Sequence, residues 1–186
     1  MPSSTASKTA SRPPRILSPE MEKKDPPLTV RPAEATDMVT LVALLRQLFA
    51  IEEDFRIDEE RQRRGLAMLL DSPQALILVA EAVGRVIGMC SGQLLVSTAE
   101  GGPALLMEDV VVAEGFRGAG VGRLLVSAMA DWAATRGAFR LQLLADRNNS
   151  RALSFYRTIG WRTTKLICLR RYQAPRERPP QDRLPD

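Results

Sequence analysis

The sequence predicts one mixed α/β domain built on a mixed β-sheet. Segments rich in β-branched and leucine residues alternate with segments whose apolar residues recur at helical spacing. Three of the β-rich segments follow one another with only tight turns between them, which is typical of antiparallel strands. A helical segment over 120–136 then separates two strands, and this predicts one parallel step across a helix.

The predicted element order is β-α-α-β-β-β-α-β-α-β. A short alternating strand at 28–31 precedes a helix whose N-cap is Thr36 or Asp37, and a second helix runs through Leu66 and Leu70. The remaining elements are strands at 75–82, 85–96 and 104–112 with turns at 83–84 and 100–103, a helix at 120–136 ended by Gly137, a strand at 139–144, a helix at 152–159 capped within 148–150 and stopped by Gly160, and a last strand or pair of strands over 161–171.

Length and composition agree with one core of ordinary size. The chain has 186 residues, of which 45% are hydrophobic and 26% charged. Ten of the 13 prolines lie in 1–27 and 172–186. We therefore predict a disordered tail at 1–27, a compact domain at 28–172 and a second disordered tail at 173–186.

Charge and hydropathy exclude several classes of protein. No uncharged apolar run reaches about 18 residues and the N-terminus lacks the apolar core of a secretion signal, so we expect a cytoplasmic protein that neither spans nor binds a membrane. The net charge is +4, yet the stretch 28–171 is nearly neutral and has no basic stripe interleaved with aromatic residues. Nucleic acid is therefore not an expected partner.

The chain contains no histidine, which restricts the available chemistry. Ser-His and Cys-His nucleophiles, imidazole metal sites and a histidine base are all excluded, and no metal site is expected. Cys90 and Cys168 each lie in an apolar strand-like run, so we predict that both are core residues rather than nucleophiles. Proton transfer must then use carboxylates, Tyr, Lys or water.

The strongest functional signal is the glycine-rich turn Arg117-Gly118-Ala119-Gly120-Val121-Gly122, which ends a strand and opens a helix. Backbone N–H groups at a helix start attract anions, so a phosphate or pyrophosphate is the natural ligand. The turn fits neither the Walker loop nor the dinucleotide fingerprint, because no Lys-Ser/Thr follows and position 123 is Arg. The alternative is a turn that binds nothing.

Arg117-x-x-Gly120-x-Gly122 resembles the Arg/Gln-x-x-Gly-x-Gly/Ala signature of the Gcn5-related N-acetyltransferases (GNAT). The run 107–112 resembles the fourth strand of that family, and 149–161 is similar to its Asn-x-x-Ala…Tyr-x-x-x-Gly-Phe segment, with Trp161 in place of Phe. The resemblance covers about 28–171. It implies the GNAT acyl-CoA N-acyltransferase fold and an acetyl-CoA-dependent N-acetyltransferase.

The resemblance also implies a set of acetyl-CoA-binding residues. Amides of the glycine turn would hold the pyrophosphate, and the strand 104–112 would splay from its neighbour. A backbone N–H near Val111 or Val112 would then bond the thioester carbonyl. Asn149 would cap its helix or bond the cofactor, with Asn148 as the alternative. The implied residues are Val110, Val111, Val112, Arg117, Gly118, Ala119, Gly120, Val121, Gly122, Arg123 and Asn149.

Two side chains are candidates for acid and base catalysis. Tyr156 occupies the family's position for the general acid, and a phenol with a reference pKa of about 10 suits a thiolate leaving group. The alternative is a core aromatic. Strand alternation allows only one of Glu108 and Asp109 to face the cleft. We choose Glu108 as the candidate base, acting directly or through water, because the resemblance implies a Glu in this strand as the base in members that acetylate small amines. The alternative for Glu108 is an edge carboxylate paired with an arginine.

The acceptor is predicted from a run of six carboxylates between 52 and 60, which is equally typical of a solvated loop and helix start. In the family this segment forms a wall of the acceptor site, which would place Glu53 and Asp54 against a small cationic amine such as a polyamine, an amino acid or an amino sugar. The alternatives are a protein or peptide amine, and a non-catalytic acyl-CoA-binding module. Apart from the function, a homodimer is a possible assembly of this chain.

Overall fold

A computed structural model describes residues 28–51 and 57–173, whose five strands form one sheet in chain order. The elements are β1 (Leu28–Pro32), α1 (Met38–Phe49), α2 (Glu59–Leu70), β2 (Ala75–Ala82), β3 (Arg85–Ser97), β4 (Gly102–Val112), α3 (Val121–Thr135), β5 (Arg140–Leu143) and α4 (Ser150–Thr158). Strands β1 to β4 are antiparallel, and β5 is parallel to β4. The predicted mixed sheet and its parallel step are confirmed.

The predicted tails and the residues Glu53 and Asp54 lie outside this description, apart from Gln173. None of the helices in the described ranges combines the length and apolar character needed to cross a bilayer.

Local sequence signals account for the element ends. Val83 and Gly84 take left-handed φ angles of 52° and 67°, as a two-residue hairpin between β2 and β3 requires. Asp58 caps α2 by accepting a hydrogen bond from the Arg61 N–H, and Gly137 follows α3 with φ of 77°. The helix α1 begins at Met38, so its N-cap is Asp37, one of the two residues predicted for that position.

The sheet separates two apolar layers. On one face, Leu41, Leu45 and Leu66 of α1 and α2 pack against Ile77 and Val79. On the other face, Leu125 and Met129 of α3 pack against Leu78 and Ala80. Because alternate residues of β2 point to opposite faces, this one strand contributes to both layers. The sheet is therefore covered on both sides.

A bulge interrupts the alternation of β4. Glu108 lies opposite Ser91 and Val111 lies opposite Met89, so two residues of β4 face a single residue of β3. Asp109, inside the bulge, takes a left-handed φ of 46°. Pairing between β4 and β5 ends at Met107 and Leu143. Beyond that point the two strands part, as the predicted splay requires.

The final strand predicted over 161–171 is wrong, because the described residues after Gly160 form no strand. Leu166, Ile167 and Leu169 are exposed, and so is Cys168, whose predicted core position is also wrong. The run of apolar residues at 166–169 suggested a buried strand, but strands form only where a neighbour supplies hydrogen bonds. Here β5 offers an edge of only four residues, and residues 162–171 are exposed.

Candidate active site

A cleft of about 560 Å³ opens where β4 and β5 separate. It is bordered by the end of α1, the open part of β4, the glycine turn and α4. Most of the predicted site residues meet there, although they come from three separate segments of the chain. Those that line the cleft are Glu108, Val110, Val111, Val112, Arg117, Gly118, Gly120, Val121, Gly122, Arg123, Asn149 and Tyr156. Ala119 lies in the same turn without lining the cleft.

The glycine turn presents backbone rather than side chains to the cleft. Gly118 and Gly120 take φ angles of 85° and 82°, and a Cβ on either would point into open space. The N–H of Leu124 donates to the carbonyl of Gly120 (3.1 Å), so the N–H groups before Leu124 have no partner within the helix. The turn therefore offers the open, positive end of α3 to an anion.

Two contacts fix this turn against its neighbours. The Arg117 Nε donates to the carbonyl of Val112 at 3.0 Å, which ties the turn to the end of β4. A Cβ on Gly122 would lie 3.3 Å from the Phe155 ring, so the absence of a side chain lets α3 approach α4 closely. Arg117 and Gly122 thus position the turn.

The helix α4 carries two of the predicted residues. The Asn149 side chain accepts a hydrogen bond from the Ala152 N–H at 3.0 Å, so Asn149 rather than Asn148 is the cap. The Tyr156 ring packs between Phe155 and Trp161, with centroid distances of 5.1 and 5.8 Å, and it also lines the cleft. Tyr156 is therefore both a packed aromatic and a wall of the site.

The prediction that only one of Glu108 and Asp109 faces the cleft is wrong. Both line it, because the bulge adds a residue to β4 and breaks the alternation on which the prediction depended. Glu108 is exposed, whereas Asp109 is largely withdrawn from solvent and accepts a hydrogen bond from the Ser91 hydroxyl at 2.9 Å. Sequence analysis gave Asp109 no role, since nothing local marks the bulge.

The surroundings of Asp109 change its acidity. Burial raises the pKa of Asp109 to about 6, the hydrogen bond from Ser91 opposes that rise, and the charge of Glu108 adds to it. Burial also raises the pKa of the Cys90 thiol to about 12, with a further contribution from Asp109. Cys90 is fully buried and stays protonated, which confirms it as a core residue.

The described part of the acidic run forms a helix start. Asp58 pairs with Arg61 at 2.9 Å, Glu59 pairs with Arg46, and Glu60 lies 3.8 Å from Arg64. None of these three carboxylates lines the cleft. For them the helix-start interpretation is confirmed, and their charge is largely compensated by arginine.

The cleft suits an elongated acyl-CoA. The open end of α3 fits a pyrophosphate, while the stretch of β4 that does not pair with β5 offers its backbone edge to an extended pantetheine arm. The volume falls within the usual range for sites that hold small ligands.

The chain belongs to the acetyltransferase (GNAT) family, whose model matches residues 42–161. It is thus an acyltransferase of the N-acetyltransferase type. Streptothricin acetyltransferase from Streptomyces lavendulae is 39% identical over 74 residues, which cover 40% of this chain and 39% of that protein. Glucosamine 6-phosphate N-acetyltransferase from Trypanosoma brucei brucei is 26% identical over 141 residues, which cover 73% of this chain and 89% of that protein.

Solved structures agree with the fold. Aminoglycoside N-acetyltransferase AAC(6')-Iy, in complex with CoA, superposes with a TM-score of 0.70 at 17% identity over 82% of this chain and 99% of that one. At that identity the likeness establishes the GNAT fold alone. The predicted family and fold class are confirmed, although the sheet of the described residues ends at β5.

Proposed function

We propose that this protein transfers the acetyl group of acetyl-CoA directly to a primary amine of a small cationic molecule, such as a polyamine, an amino acid or an amino sugar. One observation carries the proposal. A single cleft is lined by the glycine turn, the end of β4 that does not pair with β5, the capped start of α4 and the Tyr156 ring. The names of the relatives, which refer to glucosamine 6-phosphate and streptothricin, support a small amine.

The residues of the cleft fall into three roles. Acetyl-CoA would supply the activated thioester, held by the glycine turn, Arg123 and Asn149 along the backbone of 110–112. A backbone N–H near Val111 or Val112 would stabilise the oxyanion of the tetrahedral intermediate. Tyr156 would donate a proton to the leaving thiolate, and a carboxylate of the pair Glu108 and Asp109 would accept a proton from the ammonium.

The mechanism needs no covalent enzyme intermediate. Cys90 is buried and protonated, and Cys168 is exposed and does not line the cleft. The amine would therefore attack the thioester within a ternary complex. The acceptor would enter beside Glu108 and Asp109. A wall formed by Glu53 and Asp54 would add to the attraction, so neutralising these two residues should raise KM for a cationic acceptor.

The first test is calorimetric titration of acetyl-CoA, with CoA and NADH as comparison ligands. The wild type should bind both CoA species at one site, and Gly120→Glu should lose that binding because its carboxylate would face the pyrophosphate. Gly101→Glu is the matched control. Gly101 has the same left-handed φ (66°) and open surroundings, but it lies in the turn before β4, away from the cleft.

Two results of this titration would contradict the expectation. Equal loss in the two glycine variants would assign the effect to backbone strain, and absence of binding by the wild type would reject the acetyltransferase proposal.

An acceptor screen then follows CoA release, with an enzyme blank to subtract the exposed Cys168 thiol. Turnover of peptides but not of free amines would favour a protein acetyltransferase. Binding without any transfer would favour a non-catalytic acyl-CoA module.

A further inference from the structure

Asp109 is held at its position by three independent features. The bulge of β4 turns it into the cleft, its backbone is left-handed, and the Ser91 hydroxyl donates to its Oδ2 at 2.9 Å. Ser91 is itself 1% exposed, and it belongs to the neighbouring strand β3. Only one carboxylate oxygen is engaged by Ser91, so Oδ1 can accept a proton from another donor.

This arrangement is costly for a merely structural residue. A left-handed φ of 46° is uncommon for a residue other than glycine, although Asp and Asn adopt it more readily than most. A carboxylate withdrawn from water without an arginine partner is destabilised when it ionises. The one polar contact described for Asp109 is a neutral hydroxyl, in contrast to Asp37, which an arginine neutralises. An uncompensated acid held inside the cleft indicates a functional position.

Building on the acetyltransferase function proposed above, we propose that Asp109 is the general base for the acceptor ammonium, that Ser91 is its positioning residue, and that Glu108 attracts the cation at the exposed side of the cleft. The acceptor is thereby specified as an amine that arrives protonated. The two adjacent carboxylates therefore have different roles: Asp109 is the buried base, and Glu108 is the exposed group that binds the cation.

The reaction transfers one proton from the ammonium to Asp109 and one from Tyr156 to the leaving sulfur. The Asp109 carboxylate takes one proton from R–NH3+, which leaves R–NH2 with a free electron pair. The C–N bond forms at the thioester carbonyl carbon, and the C–S bond breaks as the intermediate collapses. The Tyr156 hydroxyl gives its proton to the leaving sulfur and regains one from the nitrogen, directly or through water. Asp109 then releases its proton to solvent, so each acetamide formed liberates one proton.

The acidity of Asp109 supports this role. With its pKa near 6, the carboxylate is mostly ionised at pH 7, yet it is a stronger base than an ordinary aspartate. The hydroxyl of Ser91 and the thiol of Cys90 face it from β3, and Glu108 adjoins it on β4. The other ionisable groups lining the cleft are Arg117 and Arg123 from the turn and α3, and Asp146, Arg151 and Tyr156 from the segment leading into α4 and from α4.

The test is the pH profile of kcat/KM with a primary amine that titrates near pH 10. The wild type should show an acidic limb near pH 6 and a plateau above it. Asp109→Asn should lose about 10²–10³-fold in kcat/KM at pH 7. Its rate should also rise steadily toward the pKa of the amine, since only the amine already deprotonated in solution can react. Asn tolerates a left-handed φ, so this variant should fold and bind acetyl-CoA like the wild type.

Two further variants should move the limb in opposite directions. Ser91→Ala removes the hydrogen bond that lowers the pKa of Asp109, so the limb should shift to higher pH. Glu108→Gln removes the charge that raises it, so the limb should shift to lower pH, with a higher KM for the cationic acceptor. Glu108→Gln is also the matched control for Asp109→Asn, because it removes the carboxylate of the adjacent residue and keeps that of Asp109. A purely structural role for Ser91 would leave the limb of Ser91→Ala at the wild-type pH.

The outcomes separate this assignment from the proposed function. An Asp109→Asn enzyme that keeps the acidic limb and about a third or more of the wild-type kcat/KM would overturn the assignment while leaving acetyl transfer intact. Loss of the limb in Glu108→Gln alone would transfer the role to Glu108. If Asp109→Asn fails to bind acetyl-CoA, the Ser91→Ala shift decides, and an unmoved limb overturns the proposal. Absence of turnover by the wild type with every amine would reject both.

Discussion

At the scale of single residues, two aspartates with little exposure to water differ in what surrounds them. Asp37 accepts two hydrogen bonds from the Arg31 guanidinium, at 2.8 and 3.0 Å, and one from the Glu34 N–H at 2.8 Å. These contacts hold the pKa of Asp37 below its usual value, against the effect of burial. Asp109 has a hydroxyl instead, and its pKa rises. Ionised Asp37 therefore stabilises the fold, whereas ionised Asp109 destabilises it.

The ion pair of Asp37 predicts a pH-dependent stability. Asp37→Asn should lower the free energy of unfolding by about 1.5–3 kcal/mol at pH 7, the range for hydrogen bonds to charged groups. The folded pKa lies below the unfolded value of 3.8, so the stabilisation is complete above that value and is lost as the pH falls through the folded pKa. Urea unfolding of both proteins at pH 7 and at successively lower pH below 4 measures the difference.

Asp71→Asn provides the comparison for Asp37→Asn, because Asp71 is exposed at the end of α2. It should change the free energy of unfolding by less than about 0.5 kcal/mol. A gap between Asp37→Asn and the wild type that stays constant down to pH 3 would contradict the ion-pair explanation.

At the scale of elements, α4 connects local stability to the site. Its cap residue Asn149 and its aromatic residue Tyr156 both line the cleft, so the helix that the cap stabilises is also the helix that carries the catalytic candidate. The helix is only nine residues long and contains no fully buried side chain. A short helix with little burial depends strongly on its cap.

Substitutions at Asn149 should separate its two roles. Asn149→Ala should cost about 1 kcal/mol of stability through the lost cap and should also weaken acetyl-CoA binding. Asn149→Asp keeps a capping oxygen, so its stability should stay near that of the wild type while its added charge weakens acetyl-CoA binding. Thermal unfolding together with calorimetric titration distinguishes these effects. Asn148→Ala is the control and should change neither, and equal affinity in Asn149→Asp and the wild type would remove Asn149 from the cofactor site.

Element positions were predictable wherever the signal was local. The hairpin at Val83–Gly84, the cap at Asn149 and the turn that opens α3 each depend on a few adjacent residues with defined backbone preferences. The bulge at Asp109 was not predictable in this way, because it is set by how β4 pairs with β3. A shift of one residue exchanges the faces of a strand, so the choice between Glu108 and Asp109 could not be made from alternation.

In the molecule as a whole, the site lies where the pairing between β4 and β5 ends. Strands β2, β3 and β4 are sandwiched between the two apolar layers, while β4 leaves β5 after Met107 and so opens the cleft. The backbone groups that the split leaves free are those proposed to receive the acyl chain. The central strands are thus paired on both sides, whereas the edge of β4 that faces β5 is open after Met107 and can receive a ligand.

The same architecture predicts an uneven pattern of amide hydrogen exchange. Central strand β3 pairs on both sides and is buried along much of its length, so its amides should exchange slowest. The segment 162–173 forms no strand and is exposed, so its amides should exchange within seconds. Exchange followed by mass spectrometry on the full chain, with and without CoA, measures both regions. Protection of 166–171 equal to that of β5 would show that this segment pairs as the strand its sequence suggested, and that the sheet continues beyond β5.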